Sequence, residues 1–172
     1  MSVTPSQFAE AVLTRIKGPN GETIHATANN VNAMLAWMKF EGGGEFNPGS
    51  PFHFNPLNTT QAMPGSHSPG GPAGVQSYPD WKTGLDATVK TLGYGFYQGI
   101  RASLAANNPP EVTLAAVKAS PWGTTAIDPN AWPTLVAQIK GAKSSGSLGF
   151  PWVKAAIVTA LVGGGIVLIT RK

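Results

Sequence analysis

The sequence predicts a mainly helical body of about six short helices around one long loop, with a separate apolar helix at the C-terminus. Three observations predict it. Apolar residues recur at three- and four-residue spacing in short segments, each with its own start and stop signals. Residues 42–78 lack that period and are rich in Gly, Pro, Asn and Ser. Residues 150–170 are apolar almost throughout, with Lys154 as the one charge.

The elements follow in order. Thr4-Pro5-Ser6-Gln7 is a capping box with Pro at the first helical position. Phe8, Val12, Leu13 and Ile16 make its stripe, and Gly18-Pro19 are expected to stop it. A second helix is expected over 27–40, with Val31, Met34, Leu35 and Met38 on one face. It leaves through Glu41-Gly42-Gly43-Gly44, where glycine permits the exit. About 35 residues of irregular chain follow, a length uncommon in a compact domain and usually functional. Short strands are expected near 74–78. Further helices are expected over 79–92 (Trp81, Leu85, Val89, Leu92) and 95–106. A fifth begins at Asn108-Pro109, and a sixth at the Asp128 cap with Trp132, Leu135, Val136 and Ile139 inward. No internal repeat and no sustained heptad is present.

Charge divides the chain. It has 172 residues, 12 Lys+Arg, 8 Asp+Glu, no Cys and a net charge of +4. All the acids fall in residues 1–140, balanced there by as many bases. The whole excess lies in Lys143, Lys154, Arg171 and Lys172. A neutral body without a basic stripe argues against a nucleic-acid partner. Zero cysteines exclude a disulfide scaffold and thiolate metal sites. The organisation expected is a body at 1–140, a Gly/Ser linker at 141–149 and a transmembrane helix at 150–172. Trp152 and Lys154 occupy interfacial positions at one end, and Arg171 and Lys172 close the other. Gly163, Gly164 and Gly165 are tolerated in lipid, and Ala156, Ala160 and Gly164 form a small-residue contact face. The opening MSVTPSQ has neither a basic n-region nor an apolar stretch, so no secretory signal is expected.

Glu41 is the carboxylate that best suits chemistry. It ends an apolar helix and faces the long loop, with Trp37, Met38 and Phe40 as neighbours. The negative end of the helix dipole and poor solvation both push a carboxyl pKa upward. A carboxylic acid protonated near neutral pH is the proton donor that glycosidic cleavage requires. Glu45 is a possible second carboxylate, either near the cleft or solvated. His25, His53 and His67 fit no common ligand spacing, so neither a metal nor a cofactor is expected. Ser66 and Ser68 flank His67 without a G-x-S-x-G elbow, and Gly70-Gly71-Pro72-Ala73-Gly74 lacks the Lys of a phosphate loop. Rings and amides around the loop (Phe46, Phe52, Phe54, Asn47, Asn55, Asn58, Gln61, Gln76, Tyr78, Trp81) suit a neutral polysaccharide or a packed core equally.

An ordered series of motifs carries a family resemblance. W-M-K-F-E-G is followed by F-N-P-L-N-T-T-Q, then G-V-Q-S-Y-P-D-W-K-T-G-L-D-A-T-V-K-T-L, Y-x-x-I-x-x-x-L and S-P-W-G-T. The series resembles lysozyme-like domains of phage and actinobacterial cell-wall enzymes, in the lysozyme and lytic-transglycosylase superfamily. The resemblance covers roughly residues 5–140. It implies an α+β lysozyme-like fold, with the long loop as a small lobe over a cleft and Glu41 as catalytic acid. It implies sugar contacts from Asn55, Asn58, Thr59, Thr60, Gln76 and Tyr78. It also implies that a tyrosine from a later helix, Tyr94 or Tyr97, leans toward Glu41. The sequence lacks an evident second Asp, which leaves hydrolysis and transglycosylation both open.

Body and tail together suggest a location. Peptidoglycan, the implied substrate, lies outside the cytoplasmic membrane. A virion resolves the lack of an export signal, because a phage can carry such a protein in its tail and deliver it from outside. The expectation is a virion-associated muralytic protein with peptidoglycan, a membrane (through residues 150–170) and other tail proteins as partners. The alternative is a non-catalytic glycan-binding or membrane-inserting structural component of the virion tail tip.

Overall fold

The computed structural model describes residues 3–42, 46, 49–70 and 74–122. Five α-helices form among the described residues: α1 (Pro5–Arg15), α2 (Ala28–Phe40), α3 (Trp81–Leu92), α4 (Gln98–Ala105) and α5 (Pro110–Lys118). A 3-10 turn, Gly95–Tyr97, leads into α4. The regular structure among the described residues is helical, and no strand forms there. Among them, too, no helix is long and apolar enough to cross a membrane. The expected sixth helix, the linker and the apolar segment at 150–170 lie outside the described residues.

Local signals set the helix starts. Thr4 Oγ1 accepts from the Gln7 amide at 3.2 Å, and Gln7 Oε1 accepts from the Thr4 amide at 2.9 Å, closing the capping box on α1. Thr27 accepts from the Asn30 amide at the start of α2, and Asp80 from the Thr83 amide at the start of α3. The end of α1 differs from expectation. It stops at Arg15, before Gly18-Pro19, because Ile16 turns extended and buries its side chain in the core. The segment expected as one helix over 95–106 is a 3-10 turn followed by α4.

Helix α2 is the centre of the body. It packs against α1 on one side and α5 on another, while α1 also meets α3 and α4 meets α5. A single apolar face was expected, but every residue from Asn30 to Met38 is buried. Ala33 and Ala36 let neighbours approach closely. Asn30 is accommodated because its Nδ2 donates to the carbonyls of His25 and Leu104, both at 2.9 Å. Trp37, Phe8, Leu13, Met34, Met38, Ile100, Leu104 and Leu114 fill the interior.

The strands expected at 74–78 do not form. One isolated antiparallel bridge joins His67 and Ser77. Pro64, Pro69 and Pro79 flank this short pairing and remove the donors a longer ladder would need. Side-chain bonds order the loop instead. Buried Asn55 donates from Nδ2 to the carbonyls of Thr59 (2.9 Å) and Gln76 (2.7 Å), and its Oδ1 accepts from the Thr59 amide (2.8 Å). The Tyr78 hydroxyl donates to the Gln61 carbonyl at 2.8 Å and lies 2.7 Å from Thr59 Oγ1.

Aromatic stacking and one close backbone approach fasten this lobe to the body. Phe46 stacks on Trp81 at 4.8 Å, Phe54 meets Trp81 edge-on at 5.2 Å, and Phe8 of α1 packs on Trp81 at 5.6 Å. With buried Phe8, these half-buried rings form a lobe anchor. Gly84 of α3 lies directly under Phe54: a Cβ there would sit 1.9 Å from the Phe54 carbonyl oxygen. Gly84→Ala is therefore expected to lower stability by about 1–3 kcal/mol through overpacking. Gly99→Ala, which meets nothing within 4 Å, is expected to be neutral or to stabilise by a few tenths of a kcal/mol. Urea denaturation of the two variants checks the contrast in sign.

Candidate functional site

Glu41 caps the C-terminal end of α2, where its amide still donates to the Trp37 carbonyl at 3.0 Å. Burial pushes its carboxyl pKa up to about 7, against hydrogen bonding from Asn58 and an influence from Trp37 that both favour the ionised form. The Trp37 indole N–H makes no hydrogen bond of normal geometry. Asn58 Nδ2 donates to the Glu41 backbone carbonyl and reaches Glu41 Oε2 at 3.4 Å. Glu41 Oε1 is buried with no partner. A carboxylate there lacks the donors that ionisation needs, so the neutral acid persists toward neutral pH.

The loop brings Asn58 to Glu41 by a backbone device. Asn58 has φ +52°, in the left-handed region that Asn tolerates better than most residues. Its amide donates to the Asn55 carbonyl at 3.3 Å. The Asn55 network therefore fixes the turn that aims Asn58 at the end of α2.

A cleft of about 250 Å³ is lined by Thr60, two residues after Asn58, with Gln61, Ala62, Thr91, Tyr94, Phe96 and Tyr97. The Tyr94 hydroxyl donates to Gln61 Oε1 at 2.7 Å, tying the lobe to the body. Tyr94 and Phe96 stack at 5.5 Å and are both exposed, offering a flat apolar surface. Behind them, Tyr97 packs on Trp122 at 5.0 Å, and Trp122 on Trp37 at 4.5 Å. An aromatic relay thus runs from the cleft wall to the residue one turn before Glu41.

The expected site residues separate into three groups. Glu41 and Asn58 are in contact. Thr60, Tyr94 and Tyr97 line the cleft, joined by Gln61 and Phe96. Asn55, Thr59 and Tyr78 are buried, and their polar atoms bond to one another and to the backbone within the lobe, away from the cleft wall. Gln76 is also spent internally: its Oε1 accepts from Ser66 Oγ and its Nε2 donates to the Gly74 carbonyl. Glu45 lies outside the described residues. Glu41 is not itself a wall of the cleft. Phe96 was missed because helical periodicity gives no signal inside a 3-10 turn. Gln61 was seen as one of many amides, and only the tyrosine contacts single it out.

No family model matches the chain, and no curated protein or solved structure matches it significantly.

The raised pKa of Glu41 couples the site to stability. The native state holds the Glu41 proton up to about pH 7, whereas the unfolded chain releases it near 4.5. Stability is thus expected to fall as pH rises between those values, by on the order of 3 kcal/mol from this group. Glu41→Gln is expected to flatten that dependence and to exceed the wild type in stability at pH 8. Thermal unfolding of both proteins from pH 4 to pH 9 measures the difference. Parallel curves would sink the assignment.

Proposed function

We propose that this chain cleaves the glycan strand of peptidoglycan between N-acetylmuramic acid and N-acetylglucosamine, with Glu41 as general acid. The observation that carries the reading is the buried Glu41 carboxyl, held partly protonated near neutral pH. It sits against Asn58, and Thr60, two residues further on, lines a cleft of amide, hydroxyl and aromatic groups. Such a lining suits a neutral sugar, whose C–H faces pack on rings and whose hydroxyls bond to amides. The ordered motif series of lysozyme-like cell-wall enzymes supports the same reading.

In the proposed step the Glu41 proton passes to the glycosidic oxygen as its bond to the anomeric carbon breaks. The bonding electron pair leaves with that oxygen, and positive charge develops on the sugar ring. No second carboxylate contacts Glu41 among the described residues. The ring cation is then captured by the substrate's own 2-acetamido oxygen, by its 6-hydroxyl with closure of an anhydro ring, or by water directed by Glu45; the proton of the attacking hydroxyl or water returns to the Glu41 carboxylate. Capture by water, directly or after the acetamido adduct opens, gives reducing ends. Capture by the 6-hydroxyl gives anhydro ends.

The setting proposed is a phage virion in which the protein opens the host wall locally. The apolar segment at 150–170 would engage a membrane or neighbouring tail proteins. A second reading has one observation in its favour: Glu41 does not itself line the cleft. In that reading the protein is a structural or membrane-inserting tail component that holds glycan without cutting it.

Product analysis on purified peptidoglycan with the full chain tests both. Wild type is expected to release glycan fragments, and Glu41→Gln to lose at least about a hundredfold in rate. Because the acid form is the active one, the rate is expected to fall as pH rises through about 7. Full activity in Glu41→Gln would overturn the mechanism. Binding without products in the wild type would favour the structural reading.

A further inference from the structure

Among the described residues, two buried oxygen atoms of the Glu41–Asn58 contact have no hydrogen-bond partner: Glu41 Oε1 and Asn58 Oδ1. Both expose less than 1 Å² to solvent, so water does not satisfy them. The two side chains already touch through their other arms, since Asn58 Nδ2 reaches Glu41 Oε2 at 3.4 Å. The second hydrogen of that Nδ2 is taken by the Glu41 backbone carbonyl. Asn58 is therefore pinned in one amide orientation: turning it over would set Oδ1 against that carbonyl.

With Glu41 ionised, both of these buried oxygens are acceptors without a donor. Protonation of Oε1 converts one of them into a donor. A carboxylic acid and a primary amide that share one N–H···O bond can then close a ring with a second bond, O–H···O. From this geometry we propose that Asn58 is a positioning residue that keeps the proton on Glu41, its Oδ1 accepting from the Oε1 hydroxyl in a closed acid–amide pair. No atoms are exchanged in forming it; the proton stays on Glu41 until a stronger demand, such as a departing glycosidic oxygen, takes it. Asn58 thereby differs from the sugar contact that its motif suggested. The pair sets the acid's rotamer and protonation together, and Asn58 itself touches no reacting atom.

Among the described residues, no other group takes this role. Burial, Asn58 and Trp37 are the influences on its titration. Among those residues Lys39, on the same helix, makes no ion pair with it. Trp37 offers only a donor, which favours the ionised form.

The inference predicts a sign. If Asn58 acted only as a donor to the carboxylate, its removal would raise the Glu41 pKa. If it holds the acid proton, removal takes away both an acceptor for the neutral form and a repulsive oxygen beside the ionised form, and the pKa falls. The test is a carbon-13 NMR titration of the Glu41 side-chain carboxyl in the full-length protein, wild type against Asn58→Leu, a substitution of similar size. A midpoint lowered by half a pH unit or more is expected, and an unchanged or raised midpoint overturns the proposal. Because the Leu variant also loses the bond to the Glu41 carbonyl and its folding can suffer, a second measurement uses the wild type alone. Isotope-edited infrared spectra of the protonated Glu41 carboxyl are expected to show a hydrogen-bonded acid below the midpoint. A free-acid band there overturns the proposal. Neither readout uses catalysis. Inactivity on peptidoglycan would defeat the proposed function and leave this pair standing, whereas a wrong sign would defeat the pair and leave Glu41 as acid.

Discussion

Burial of α2 on every side between Asn30 and Met38 is the constraint from which the candidate site follows. A helix enclosed to that extent delivers its last residues into a region already stripped of water. Glu41 is the first residue past that helix, and it arrives with one carboxylate oxygen unpartnered. Its altered acidity thus follows from the position of a helix end more than from any neighbouring charge. Trp37 contributes twice, as a core side chain and as the inner end of the ring series that reaches the cleft through Trp122 and Tyr97.

The lobe opposite that helix end shows how a Pro- and Gly-rich segment can be ordered without a sheet. Asn55 does within one turn much of what a strand pair would do across a ladder. It satisfies two carbonyls and one amide, and it places Asn58 in the left-handed conformation that points toward α2. Tyr78 and Tyr94 then converge on Gln61 from opposite parts of the chain, one through its carbonyl and one through its side-chain oxygen. The position of Asn58 at Glu41 therefore rests on amide and hydroxyl groups bonded to one another within the lobe.

Much of the helical frame was legible in the sequence, because capping residues and apolar spacing act locally. Thr4, Thr27 and Asp80 start the helices where their hydroxyl and carboxylate groups can accept backbone hydrogens. Glu41 stood out for the same reason, its place at a helix end being a local fact. The loop was read less well. Asn55, Thr59 and Gln76 resemble sugar ligands in composition, and only three-dimensional bookkeeping shows that they are used internally. Phe46, Phe54 and Trp81 likewise form an anchor whose partners, Phe8 and Gly84, are distant in the chain. The 74–78 strands failed because prolines flank the pairing and a side-chain network took its place.

The notch at Gly84 bears on the order in which the molecule assembles. Phe54 can settle there only after α3 has formed a continuous surface, whereas the turns around Asn55 close over a few residues and need no such template. Nucleation of the helices and local curling of the lobe can proceed independently, and their docking is the long-range event with the larger loop-closure entropy. Until docking, Asn58 is away from the end of α2 and the Glu41 carboxyl meets water as an ordinary acid. The raised pKa of Glu41 thus belongs to the docked molecule, with lobe and helix end together, and not to either part alone.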